Sequence, residues 1–136
     1  MADGYLEHLH KLGRSLAIQG ELCGPGIQGN KYNLEKHVFC VFDVYDIDKR
    51  RYLTLIDRWD VLKQLLMLGV DINQVPHLGV TAIPKTVNEC LKMAEGKSKL
   101  NPKQEREGLV FKSTKVINGY VPSFKAISNK FLLGEK

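Results

Sequence analysis

The 136 residues carry 20 Lys/Arg against 15 Asp/Glu, a net charge of +5, with 43% hydrophobic residues, a composition that suits one ordinary globular domain and excludes a disordered or fibrous chain. No apolar run reaches the length of a membrane span and no basic-then-apolar leader opens the chain, so a cytoplasmic protein with no membrane partner is expected. The charge is uneven: residues 1–84 carry 9 Lys/Arg and 10 Asp/Glu, residues 85–136 carry 11 and 5, which makes the last third the place to hold a polyphosphate or a nucleic-acid backbone.

Tyr5, Leu6, Leu9 and Leu12 recur at helical spacing and predict a short amphipathic helix over 5–12, ended by Gly13. From Ser15 to Cys23 the pattern alternates as in a strand. Leu16, Ile18 and Leu22 fall on one face and Ala17, Gln19, Glu21 and Cys23 on the other, which aims Glu21 away from the apolar side. In Cys23-Gly24-Pro25-Gly26-Ile27-Gln28-Gly29-Asn30, three glycines and a proline exclude a regular element. Such a loop lets backbone approach a ligand, but its spacing matches neither phosphate-binding glycine signature; Gly96-Lys97-Ser98 also fails, with Leu91 where the first glycine belongs.

Residues 37–46 form the clearest strand, apolar enough for burial on both faces and hence central, with Phe42 a core side chain by pattern alone. Asp43, Asp46 and Asp48 lack the glycine and closing glutamate of a calcium loop. Asp57 is the expected N-cap of a helix over 58–68 that buries Trp59, Leu62, Leu65 and Leu66 and stops at Gly69. Residues 75–80 read as a short extended segment whose His77 is a surface residue rather than a metal ligand. Thr86-Val87-Asn88-Glu89 is a capping box opening a helix to Glu95, closed by Gly96. Cys23, Cys40 and Cys90 are odd in number and lack C-x-x-C spacing, so they read as buried thiols.

A basic loop over 97–106 leads into two strand-like stretches, Glu107–Lys112 and Ser123–Ser128, separated by Asn118-Gly119. That dipeptide supplies the two positive φ values of a type I′ turn, so the stretches form one hairpin with Ile117 facing Tyr120. Counting outward places Lys112 opposite Lys125. Two ammonium groups across a ladder repel unless an anion joins them, and a nucleotide triphosphate is the natural candidate. Glu107, at the mouth of the hairpin, is an acceptor for a ribose hydroxyl, a metal-bound water or an amine. Pro122 has no N–H and can carry a bulge that shifts this register by one residue.

With these stretches together, the chain resembles part of the nucleotidyltransferase domain of ATP-dependent RNA ligases, nearest the branch that seals nicks in duplex RNA. Glu21-Leu22-Cys23-Gly24-Pro25-Gly26-Ile27-Gln28 resembles the third motif of that family and Val41-Phe42-Asp43 the segment after it. Glu107-Gly108-Leu109-Val110-Phe111-Lys112 resembles the fourth, and Phe124-Lys125-Ala126-Ile127-Ser128-Asn129-Lys130-Phe131 the fifth. The resemblance implies that Glu21 binds the ribose of ATP, Phe42 stacks on adenine, Glu107 stands by the reacting phosphate with Mg²⁺, and Lys125 contacts the α-phosphate. Gln28 and Lys112 match further nucleotide-binding positions. It also implies an α+β fold of mainly antiparallel sheets with flanking helices, as in the ATP-grasp-like domain of ligases, and RNA as partner.

Two departures bear on activity. The family's nucleophile is the lysine of K-x-D-G, and the sole Asp-Gly here is Asp3-Gly4 with Met1 in the lysine's place. The expectation is therefore one partial nucleotidyltransferase domain over 1–136, lacking its N-terminal part and with an exposed or rearranged sheet edge, that binds ATP and RNA without forming the covalent adenylate by itself. The lysine comes from a missing segment or second chain, or catalysis has been lost. In the fifth motif, Ile127 stands where the family often has a second lysine. A noncatalytic nucleic-acid-binding module and a DNA ligase or mRNA-capping relative are the alternatives.

Overall fold

The computed structural model describes His10, residues 12–70 and residues 72–134; the helix expected over 5–12 lies largely outside the described residues. They fall into two compact units. The first holds the described residues up to Cys23 together with His37–Val75 and Ser113–Pro122, and the second holds Gly24–Lys36, Pro76–Lys112 and the described residues from Ser123.

The first unit is built on strand β2, Val38–Asp46, whose apolar run suits it to a central place. β1, Leu16–Cys23, pairs with it antiparallel along its whole length. On the other side lie β3, Arg51–Tyr52, antiparallel, and β4, Asn73–Gln74, parallel. The expected extended segment at 75–80 thus begins earlier, as the short β4, and Val75 N–H still donates to Val41 O at 2.9 Å. Helix α1, Leu55–Met67, supplies the cover. Val41, Val44, Leu53, Val61, Leu62, Leu65, Val70 and Ile72 form one buried cluster, with Leu12, Leu16, Ile18 and Phe39 against it.

α1 differs from expectation in its start and its facing. It begins three residues early, with Thr54 at the N-cap, so Asp57 sits in the first turn, where its charge complements the helix dipole. The buried stripe is Arg58, Val61, Leu62 and Leu65. Trp59 and Leu66, expected inside, are 37% and 54% exposed. Burial pulls the Arg58 guanidinium below its ordinary value, while the nearby Asp43 carboxylate acts in the opposite direction.

Asp46, at the end of β2, is buried with Oδ1 accepting from Lys49 N–H at 2.9 Å and Oδ2 3.4 Å from Arg14 Nη2. The Lys49 N–H first, and the Arg14 guanidinium second, hold its carboxyl below the usual range. A depressed native pKa stabilises the fold above the unfolded value, about 3.9, and that contribution is lost as pH falls through the native one. Asp46→Asn should accordingly flatten the acid limb of stability below about pH 4. Denaturant midpoints measured between neutral and acid pH check this, and parallel limbs in variant and parent would refute it.

In the second unit, α2, Val87–Ala94, packs on the hairpin of β5, Gly108–Lys112, and β6, Ser123–Ile127. The capping box forms in part: Thr86 Oγ1 accepts from Glu89 N–H at 3.2 Å, but Glu89 Oε2 reaches past the cap to Lys85 N–H at 2.9 Å. Phe111 and Phe124 stack at 4.8 Å between centroids, and Ala94, Ala126 and Ser128 are buried. A last short helix, α3, spans Asn129–Gly134. In the glycine-rich loop, where no regular element is expected, Gln28–Asn30 makes one turn of 3-10 helix. No helix among the described residues is long and apolar enough to cross a membrane.

Candidate functional site

In the first unit the two candidate residues, Glu21 and Phe42, lie on one face of the sheet. Glu21 is in register with Cys40, and Phe42 lies two residues beyond Cys40, across the fully buried Val41. By alternation, Glu21, Cys40 and Phe42 all look away from the Val41–Val44 core. The pairing jumps from Gly20↔Val41 to Gln19↔Asp43, so Phe42 is the extra residue of a β-bulge. The extra residue strengthens local twist and returns Val44 to the core side three residues after Val41. Phe42, next to the inward Val41, is 37% exposed rather than in the core where the apolar run alone places it.

Beside Glu21 is a pair of thiols that the sequence did not connect. Cys23 and Cys40 are buried and hydrogen-bonded, and burial, with the Glu21 carboxylate nearby, pushes the Cys23 thiol up to about 11. Burial raises Cys40 as well. Both are therefore neutral packing groups under Glu21 at ordinary pH. Cys90 is only half-buried, contrary to expectation. Leu22, expected on the apolar face, is 50% exposed.

Between β5 and β6 the Asn118-Gly119 turn forms as expected, with φ of 50° and 85° and Ile117 paired to Tyr120. The register beyond it does not. Lys112 faces Ser123 and Lys125 faces Val110, a slip of two residues from the expected Lys112↔Lys125 pair. Its cause lies on the arm before the turn, not at Pro122. Between the Ser113 N–H to Pro122 O bond and the Ile117/Tyr120 pair, Thr114, Lys115 and Val116 stand against Val121 alone. Ser113 Oγ organises the excess, donating to Lys115 O at 2.8 Å and accepting from Lys115 N–H at 3.1 Å. Because the slip is even, Lys112 and Lys125 still share a face, as diagonal neighbours.

The partner of Lys125 is then Glu107: Nζ donates to Oε1 at 2.7 Å, with the two side chains 49% and 51% exposed. An exposed pair of this kind contributes at most about 1 kcal/mol, so it can be exchanged for another charge at little cost. β5 starts at Gly108 because nothing larger fits: a Cβ there would stand 2.1 Å from Ala126 O. That close approach seats Glu107 at the mouth of the hairpin, and Glu107 O accepts from Ser128 N–H at 2.8 Å. Gln28, with φ of 47°, is exposed in the glycine-rich loop. The structure thus brings Glu107 to Lys125, with Lys112 on the same hairpin face, and places Glu21 and Phe42 on one sheet face.

Among the described residues no group of three or more His, Cys, Asp and Glu could hold a metal ion. Glu107, a solvent-facing carboxylate, does suit Mg²⁺ or Mn²⁺ bound mainly by phosphates and water, the usual mode for such ions.

The RNA ligase family model matches residues 2–127. Among solved structures, Naegleria gruberi RNA ligase with PPi is 46% identical with a TM-score of 0.84. A mutant of the same ligase with ATP and Mn gives 46% and 0.84, and one with AMP and Mn gives 45% and 0.82. Each comparison covers 95% of this chain and 37% of the other, so the chain spans just over a third of the length of these relatives. Among curated proteins none matches. A family match over nearly all of the sequence, together with the same fold at this identity, means that the chain belongs to the RNA ligase family.

Proposed function

We propose that this chain is the part of an ATP-dependent RNA ligase that holds the nucleotide. Glu21 takes the ribose hydroxyls and Phe42 the adenine; Lys125 takes the α-phosphate, with Lys112 and Gln28 as further contacts. Glu107 holds the divalent ion against the phosphates, and that ion when bound draws charge from the phosphoryl oxygens. Solved relatives with ATP and Mn support the choice of ligands. The observation that carries the reading is the Glu107–Lys125 pair at 2.7 Å, an anion holder and a cation holder that neutralise each other until a nucleotide and its metal separate them.

The complete reaction passes adenylyl from ATP to a lysine, then to an RNA 5′-phosphate, before a 3′-hydroxyl attacks. No K-x-D-G lysine is present in this sequence, so the nucleophile comes from a further segment or another chain, and these residues bind and orient ATP for it. The basic excess of residues 85–136 suits an RNA backbone, and free thiols suit the cytoplasm. Calorimetric titration of the chain with ATP, with Mg²⁺ or Mn²⁺, and with GTP as control tests the reading. ATP-selective binding is expected; absence of binding, or equal binding of GTP, would overturn it.

A further inference from the structure

Arg106, immediately before Glu107, is tied to the end of α2 by both backbone and side chain. Its N–H donates to Gly96 O at 2.9 Å. Nε donates to Ala94 O at 3.0 Å, and Nη2 to Met93 O at 2.5 Å and Glu95 O at 2.8 Å. These carbonyls belong to the last turn of α2 and its C-cap, the acceptors that a helix cannot satisfy within itself. A guanidinium suits them because its planar fork offers several donors at fixed angles and its charge opposes the helix dipole. Room for it comes from Gly96, where φ is +143° and a Cβ would meet the guanidinium carbon at 3.1 Å. On its far side, Glu107 is fixed through its carbonyl to the fully buried Ser128.

We propose that Arg106 is the positioning residue of Glu107: it locks the chain onto the end of α2 and so sets where the Glu107 carboxylate stands for Lys125 and for a metal–nucleotide complex. The proposal deepens the function given above and rests on it for the ligand; the anchoring belongs to the unbound chain. A lysine in this place keeps the charge but offers its donors from one nitrogen, without the planar fork that bonds from Nε and Nη2 together.

The test compares the parent chain with Arg106→Lys and Arg106→Met by amide hydrogen exchange and by ATP calorimetry, in Mn²⁺ and in EDTA. Both variants should melt cooperatively and exchange the Ser128 amide at least about tenfold faster, with β1 and β2 unchanged. ATP affinity in Mn²⁺ should fall about 10- to 100-fold, as when a group supporting a metal ligand is lost, while affinity in EDTA stays within about twofold. Unchanged exchange at Ser128, equal losses in Mn²⁺ and EDTA, or loss of cooperative melting in both variants would overturn the proposal. If the parent binds no ATP, the nucleotide reading fails, and exchange at Ser128 alone decides whether Arg106 anchors Glu107.

Discussion

Lys125→Ala should weaken ATP binding by about 30- to 100-fold in Mn²⁺ and in EDTA alike, whereas Glu107→Gln should change sign between the two conditions. A charge-assisted hydrogen bond to phosphate is worth about 2–3 kcal/mol, which sets the first figure. The loss is compounded because Lys125→Ala also leaves Glu107 uncompensated, 18 residues back in sequence but within hydrogen-bond distance in the folded parent. Glu107→Gln does the reverse. It frees Lys125 for phosphate, so affinity in EDTA should rise about two- to fivefold, the worth of one exposed ion pair. In Mn²⁺ the same variant loses the carboxylate ligand itself and should bind about 100-fold less tightly, at least as large a loss as in the Arg106 variants. Calorimetry on the three proteins in both buffers decides it. A Glu107→Gln variant weakened equally in both would mean that the pair does not compete with nucleotide.

What could be read from the sequence divides along a physical line. Local signals came through: β1 and β2, the positive-φ turn at Asn118-Gly119 and the Thr86 cap, all written in a few adjacent residues. Features set by counting across a gap did not. The hairpin register failed because Ser113, Thr114, Lys115 and Val116 fold into a side-chain-bonded turn that no alternation announces. Phe42 reads as core because the apolar run over 37–46 suits burial on both faces; the bulge shows in Val41 and Val44, three apart and both fully buried, only once the pairing is known. Arg106 passed as one charge in a basic loop, since its three acceptors lie 11 to 13 residues earlier. Glu107 and Lys125 take their proposed roles from resemblance, because a carboxylate and a lysine 18 positions apart are unremarkable until the hairpin joins them.

Leu65→Ala should destabilise the first unit by about 3–4 kcal/mol, and Leu66→Ala by less than about 1 kcal/mol. Sequence periodicity assigned both leucines to one buried face. Leu65, however, is fully buried in the cluster with Val41, Val44 and Val61, while Leu66 is 54% exposed. Truncating the first removes packed methyl groups and leaves a void that β2 and α1 cannot both close; truncating the second removes surface already in water. Urea midpoints at constant slope measure the contrast, and comparable losses for the two would mean that α1 is rotated from the facing described. The consequence reaches the sheet face that carries Glu21 and Phe42. Val41 and Val44 flank the bulge and touch this cluster, so a void beneath them removes the support that holds Phe42 outward. Amide exchange across Phe42 and Asp43 should therefore rise in Leu65→Ala by more than the global loss of stability accounts for, and in Leu66→Ala it should not.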